Sequence, residues 1–321
     1  MKKLLSIIFL LTIIFSGCSS VSKPARNFLK QKEMFEYLPG GAISYINIDI
    51  KNSRPLLDLA IERAKLGAQN TKYAAMFLDK TAGIVAGVYP KRKEGTLMGV
   101  AKGSAYPAGI VNMSIGKQKS WVKVEAEHKL NYWKYAPPVV KGRRMNESLK
   151  NASFSLYNSK AFFSNGNPLY FGEGAKEPLP FKEFKNSKAL SAWFPNADLI
   201  QNVLKDMDIP VNLPIVYFFA SISQAEKSSD KAEQSSDTWE ITFYFETSSP
   251  SQAKAFAALL RIARGEIKNM RIKDPLANKL INLMFALPPL TENFKVILKS
   301  PKISSSELIL LITQISNMIK I

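Results

Sequence analysis

Apolar and polar positions alternate in short runs along this chain, and the period of each run predicts an element. Positions 42–50 have Ala42, Ser44, Ile46, Ile48 and Ile50 on one face and Ile43 and Tyr45 on the other, which predicts a strand with one well-buried side. Asn52-Ser53 offers a helix cap and Pro55 suits a first turn, after which Leu56, Leu57, Ala60, Ile61 and Ala64 share a helical face ending at Gly67. Between Thr81 and Asn165 the pattern changes to strands at 83–89, 95–101, 109–115, 120–127, 131–135, 152–157 and 160–164, each bounded by turn residues. Strands this short and this close in sequence imply hairpins and an antiparallel sheet, with one face packed and the other wet. Asn158-Ser159 suits a tight turn between the last two.

The stretch 165–181 is rich in Gly and Pro and marks the best boundary. Beyond it, 187–194 and 197–207 read as helical pieces broken at Pro195, and 214–223 and 238–247 as strands joined across a polar loop at 224–237. Trp239, Ile241, Phe243 and Phe245 share one side of the second strand. A helix at 251–264 has Ser249 as its cap, Pro250 at the first position and Gln252 completing a capping box, with Gly265 placed for a left-handed C-terminal residue. A strand at 294–298 leads to a second box, Ser304-Ser305-Ser306-Glu307, opening a helix whose Leu308, Leu311, Ile312, Ile315 and Ile319 align. Lys51-Asn52-Ser53-Arg54-Pro55-Leu56 is echoed by Lys185-Asn186-Ser187-Lys188-Ala189-Leu190, both read as opening helices; six positions are as compatible with chance as with duplication. The expected fold is α+β: antiparallel sheets with helices packed on one face, in two similar-sized halves, 35–175 and 176–321, with a weak duplication.

The first residues follow another logic. Lys2 and Lys3 precede an apolar run at 4–15, then Ser16-Gly17-Cys18. This is the order of a signal peptide, and the run is shorter than the roughly 20 apolar residues that cross a bilayer. The motif resembles the lipobox of bacterial lipoproteins, which implies removal of 1–17, acylation of Cys18 and a short tether at 18–34. Phe15 stands where that box usually carries Leu, a relaxed form similar to boxes of spirochaete lipoproteins, and the body also resembles uncharacterised spirochaete lipoproteins. Cys18 is the only cysteine, so intramolecular disulfides, thiolate metal sites and redox pairs are excluded.

Charge adds a second theme. The formal net charge is +18, two units of it from Lys2 and Lys3, and the stretch 91–160 holds fourteen Lys and Arg against four Glu. Such an excess favours anionic lipid, acidic glycan or acidic protein; nucleic acid is the poorest candidate for an exported chain. The same lysines also serve solubility and protect sheet edges. One constellation suits a binding face: Trp121, Tyr132 and Trp133, with Tyr135, interleave with Lys123, Lys129, Lys134, Lys141, Arg143 and Arg144. Rings in the core with lysines in solvent are the competing arrangement.

Catalytic signatures are lacking. His128 is the sole histidine and lies between Glu127 and Lys129 in a turn-like setting; no G-x-S-x-G, Walker loop, dinucleotide fingerprint or EF-hand loop occurs. Glu125 and Glu127 share a strand face with Lys123, which fits a solvated charged face better than a catalytic pair. The expected protein is a membrane-anchored, non-enzymatic binding or structural module without cofactor or metal. A carrier of lipid or another apolar ligand is the alternative, and a carboxylate-dependent glycan hydrolase a third.

Overall fold

The computed structural model describes residues 33–64, 67–89, 96–104, 106, 115–117, 120–124, 132–136, 152–157, 159–165, 189–195, 213–225, 238–267 and 275–318. The chain divides into two compact units, Met1–Leu179 with Ile315–Ile321, and Pro180–Gln314. Both are built on antiparallel strands with helices, a sheet-dominated α+β arrangement.

In the first unit β1 (Ser44–Asp49) runs directly into α1 (Ile50–Arg63), followed by α2 (Ala68–Lys80), β2 (Thr81–Tyr89) and β3 (Thr96–Gly103). Two hairpins complete it, β4 (Trp121–Val124) with β5 (Tyr132–Tyr135) and β6 (Ser153–Tyr157) with β7 (Lys160–Ser164). Spatially the strands run β1-β2-β3-β7-β6-β5-β4. Tyr157 pairs with Lys160, so two residues connect β6 and β7 as the Asn158-Ser159 turn requires. The expected strand at 109–115 falls almost wholly outside the described residues, though Ile115 is buried in a helical turn.

The helix cap lies earlier than the sequence pattern predicts. Asp49, not Asn52-Ser53, caps α1: its Oδ1 accepts the Asn52 amide at 2.8 Å, and the Ser53 hydroxyl donates to the Asp49 carbonyl. Pro55 therefore falls inside the helix, leaving the carbonyl of the exposed Lys51 to water. Helix α2 was not marked by the pattern, because polar Gln69, Asn70, Thr71 and Lys72 hide its period. It starts after Gly67, whose φ of +80° suits a residue without Cβ. At its other end Gly103 passes so close that a Cβ would stand 1.8 Å from the Lys80 carbonyl oxygen, so no other residue fits there.

Ile50 and Ile61 of α1 and Phe77 and Leu78 of α2 share a core with Ile84, Ala86 and Val88 of β2, Ala101 of β3 and Phe163 of β7. The opposite face is not wholly wet, as was expected, but covered in part by the chain's own N-terminal strap. A 3-10 turn at Met34–Tyr37 carries Phe35, Tyr37 and Leu38, each 5% exposed or less, over Tyr45, Val100 and Phe162. Tyr37 meets Phe162 edge-on at 5.4 Å and Phe35 meets Tyr45 at 6.3 Å. Tyr45 and Tyr89 both donate their hydroxyls to the Pro39 carbonyl, at 3.3 and 2.7 Å. Each buried ring or leucine contributes about 1.5–3 kcal/mol. Tyr45, on the face opposite Ile46, is thus more buried than Ile46 and Ile48 of the predicted inner face.

The second unit orders β8 (Leu190–Phe194), β9 (Tyr217–Gln224), β10 (Thr238–Glu246), β12 (Lys295–Lys299) and β11 (Leu290–Glu292) side by side. A short β13 (Ile303–Ser304) pairs with the start of β10. Ser300 bridges the break between β12 and β13: its Oγ accepts the Ile241 amide and its amide donates to the Ile241 carbonyl. The helix expected at 187–194 is corrected to the strand β8. Cross-strand aromatic contacts decide it, with Phe194 stacked on Phe218 at 4.2 Å and Trp193 opposite Phe219, and these outweigh a weak local period. The second echo segment thus leads into a strand rather than a helix. The 197–207 helix, the 226–237 part of the polar loop and Ile319 lie outside the described residues.

Helix α3 (Pro250–Ile267) packs Ala253, Phe256 and Ala257 on Phe245, Val296 and Leu298. The Ser249 hydroxyl accepts the Gln252 amide at 3.2 Å, and Gln252 reaches back to Ser248. Gly265 does not end the helix in a left-handed turn; α3 continues to Ile267 because Arg264 ties it to the carbonyls of Phe285 and Ala286, both at 2.9 Å. Next comes α4 (Pro275–Met284), a ten-residue helix that the pattern had not marked. Last is α5 (Ser305–Met318), capped as expected, with Ser304 Oγ accepting the Glu307 amide at 3.2 Å. Glu307 itself pairs with Lys279 at 2.8 Å instead of closing the box.

Candidate functional site

The aromatic and basic residues singled out in the sequence meet in the β4–β5 hairpin. Trp121 faces Tyr135, Val122 faces Lys134, Lys123 faces Trp133 and Val124 faces Tyr132. Because side chains alternate, Trp121, Lys123, Trp133 and Tyr135 share one side of the ribbon, and Val122, Val124, Tyr132 and Lys134 the other. Trp121 lies edge-on to Tyr135 at 5.3 Å and to Phe154 at 5.1 Å. Trp121, Tyr132 and Trp133 are all buried, and both tryptophans belong to the core under the helices. Of the two arrangements open from the sequence, a stacking surface and rings in the core with lysines in solvent, the described residues adopt the second: these rings pack the sheet and are closed to a ligand. Only the cations remain accessible, and the two described ones, Lys123 and Lys134, are exposed on opposite sides of the ribbon. Cys18, His128, Glu125, Glu127, Lys129, Lys141, Arg143 and Arg144 lie outside the described residues.

The same basic stretch contains a closer juxtaposition that the sequence did not disclose. Strand β3 pairs with β7 so that Lys102 stands directly opposite Lys160. Gly103 donates to the Ser159 carbonyl at 2.9 Å and Asn165 to the Leu97 carbonyl at 3.1 Å, which makes the odd positions of β3 the hydrogen-bonded ones. Lys102 and Lys160 therefore occupy a narrow, non-hydrogen-bonded pair, with Cα atoms roughly 4.5 Å apart and side chains on one side. Both are on the strap face of the sheet, where the Lys160 ammonium lies 5.6 Å from the centre of the Tyr37 ring. Burial, and secondarily the charge of Lys102, lower the Lys160 pKa below its ordinary value. The two lysines are 58 positions apart in sequence, so only the register could have brought them to notice.

Among the described residues no group of three His, Cys, Asp or Glu could hold a metal, and no helix is long and apolar enough to cross a membrane. No protein-family model matches the chain, and no curated protein matches it either. Solved structures do. The fold is similar to that of TP0453. That protein is a lipoprotein of the spirochaete Treponema pallidum. Its crystal form III shares 13% identity with this chain at a TM-score of 0.54, over 88% of this chain and 99% of TP0453. Form IV gives 14% and 0.55 over 89% and 98%, and form I gives 14% and 0.50 over 89% and 98%. At such identity the likeness to TP0453 concerns the fold.

Proposed function

We propose that this chain is a lipid-anchored protein of a bacterial cell envelope, acylated on Cys18, that acts as a non-enzymatic binding or structural module for anionic partners. One observation carries the reading: nearly the whole of TP0453, a spirochaete lipoprotein, aligns with this chain, whose single cysteine ends a signal-like segment. The anchor follows from physical chemistry once the thiol is acylated. Each buried methylene contributes about 0.8 kcal/mol, so a single chain holds marginally and two or three hold durably. The outer membrane is the favoured location.

Radiolabelled palmitate supplied to cells should label the wild-type chain and leave Cys18→Ser unlabelled. Equal labelling of both would remove the anchor. The anionic-partner part of the reading rests on the positive stretch between 91 and 160. It now concerns cations alone, since Trp121, Tyr132 and Trp133 are buried. Binding to anionic vesicles should weaken with salt, and weaken further when Lys141, Arg143 and Arg144 become Ala. Binding indifferent to both changes would overturn it.

A further inference from the structure

Helix α3 is apolar on two sides. Its inner stripe, Ala253, Phe256, Ala257 and Leu260, rests on the sheet through Phe245, Val296 and Leu298. A second stripe repeats the same spacing on the outer side: Ala255, Ala258, Leu259 and Ile262 stand at i, i+3, i+4 and i+7 and span about 100° of the helix surface. All four are exposed, Leu259 at 51% and Ile262 at 66%. A surface helix needs one apolar stripe, with polar residues opposite, so the outer stripe serves something other than the packing of α3 on its sheet. Four residues at this spacing form the hole that receives one side chain in knobs-into-holes packing. Ala255 and Ala258 make a shallow floor, which lets another helix axis approach to about 8–10 Å, and Leu259 and Ile262 make the walls. Lys254 and Arg261, both exposed, line one flank of the hole, and Arg261 is fixed there by its hydrogen bond to the Pro289 carbonyl at 3.2 Å. The one carboxylate of the helix, Glu266, lies beyond the hole on the other flank.

We propose that the outer face of α3 docks an amphipathic helix of an acidic partner protein, whose large apolar side chain enters the hole while Asp or Glu beside it meets Lys254 and Arg261. Charge selects this occupant. Opposite charges on the flanks of paired helices set the choice of partner, and this flank is basic. A second copy would bring like charge, since α3 has three cations against one carboxylate. A lipid surface gains little, because two of the four stripe positions are alanine and the gain scales with the apolar area buried. The inference rests on the acidic-protein part of the proposed function, but on residues outside the 91–160 stretch.

The probe is a synthetic three-heptad peptide with Leu along its seam and Glu on both flanks, and a Lys-flanked version is the control; like charges keep each peptide from pairing with itself. Fluorescence anisotropy follows binding to residues 18–321 carrying Cys18→Ser. The Glu peptide should bind saturably and the Lys peptide should not. Ala258→Gln fills the floor of the hole and should weaken binding about tenfold. Lys254→Glu should weaken it about fivefold, and more at low salt than at high. Both positions are exposed, and circular dichroism checks that each variant keeps its fold. No binding of the Glu peptide, equal binding of the Lys peptide, or binding unchanged in Ala258→Gln overturns the proposal. A dimer in sedimentation, or capture by phosphatidylglycerol vesicles, that Ala258→Gln abolishes also overturns it, since each shows another occupant on α3. The triple Lys141, Arg143, Arg144 variant separates the two readings, because it should lose vesicle binding and keep the peptide.

Discussion

At Tyr106 the phenol lies 3.0 Å from Thr81 Oγ1, and Thr81 in turn donates to the Phe77 carbonyl at 2.7 Å. Burial pushes the Tyr106 pKa up to about 12, against a smaller lowering by the Thr81 hydrogen bond. Burial and the Glu36 charge do the same at Tyr37. A folded pKa raised above the unfolded value of about 10 contributes stability that is fully present below pH 10 and is lost as pH rises through about 12. Unfolding in alkali should therefore accompany ionisation of these phenols. In a titration followed at 295 nm, the difference between wild type and Tyr106→Phe should be one late step near 12. A step in the ordinary tyrosine range would show that the hydroxyl is not buried. Residue chemistry of this kind was not legible in the sequence. Tyr106 carried no signal there, and for Trp121 and Trp133 the local pattern left a binding face and a core position both open. The strand positions of Trp121 and Trp133 were legible; which side would meet the helices depended on residues distant in the chain.

Elements were read best where a cap and a period agree. Ser249 with Pro250 and Gln252, and Ser304 with Glu307, opened α3 and α5 where the side-chain chemistry indicated. Closing signals were weaker guides. Gly265 looked like a helix end, yet it lies inside α3, with nothing within 4 Å of where a Cβ would stand and no positive φ. Gly265→Ala should therefore stabilise the protein by about 0.5–1 kcal/mol, since alanine loses less backbone entropy in a helix. Urea unfolding measures this, and a loss of stability would mean that the helix does end at Gly265. The misreading of β8 has another cause. Leu190–Phe194 is five residues long, too short to distinguish a period of two from one of 3.6, and its strand form comes from aromatic partners on β9. Likewise α1 starts at Ile50 because Asp49 ends β1 and caps the helix at once, a double use the alternating pattern concealed.

For the whole molecule, the sequence specified antiparallel pairing of neighbouring strands, the α+β class and the likeness of its start to a lipobox. It did not specify that β3 pairs with β7, since β4, β5 and β6 intervene in sequence, and so it could not place Lys102 beside Lys160. Nor did it foresee the strap: the folded half was expected to begin at 35, but 33–40 has no helical or strand period to say what Phe35, Tyr37 and Leu38 would cover. Removing residues up to 42 should uncover Tyr45, Val100 and Phe162. A protein so shortened should bind a hydrophobic dye such as ANS and unfold at lower temperature than the chain beginning at residue 33. Unchanged melting would show that the strap is dispensable.

The strap has a mechanical consequence for a chain held by Cys18. Fifteen peptide links separate Cys18 from Glu33 and can extend no further than roughly 50 Å. Tension on the anchor would enter the body through Phe35, Tyr37 and the Pro39 carbonyl, which lie across the sheet. The load is then shared among β1, β2 and β7, whose Tyr45, Tyr89 and Phe162 hold the strap, instead of falling on one strand. The same contacts that cover part of the second face of the sheet also serve as its mooring.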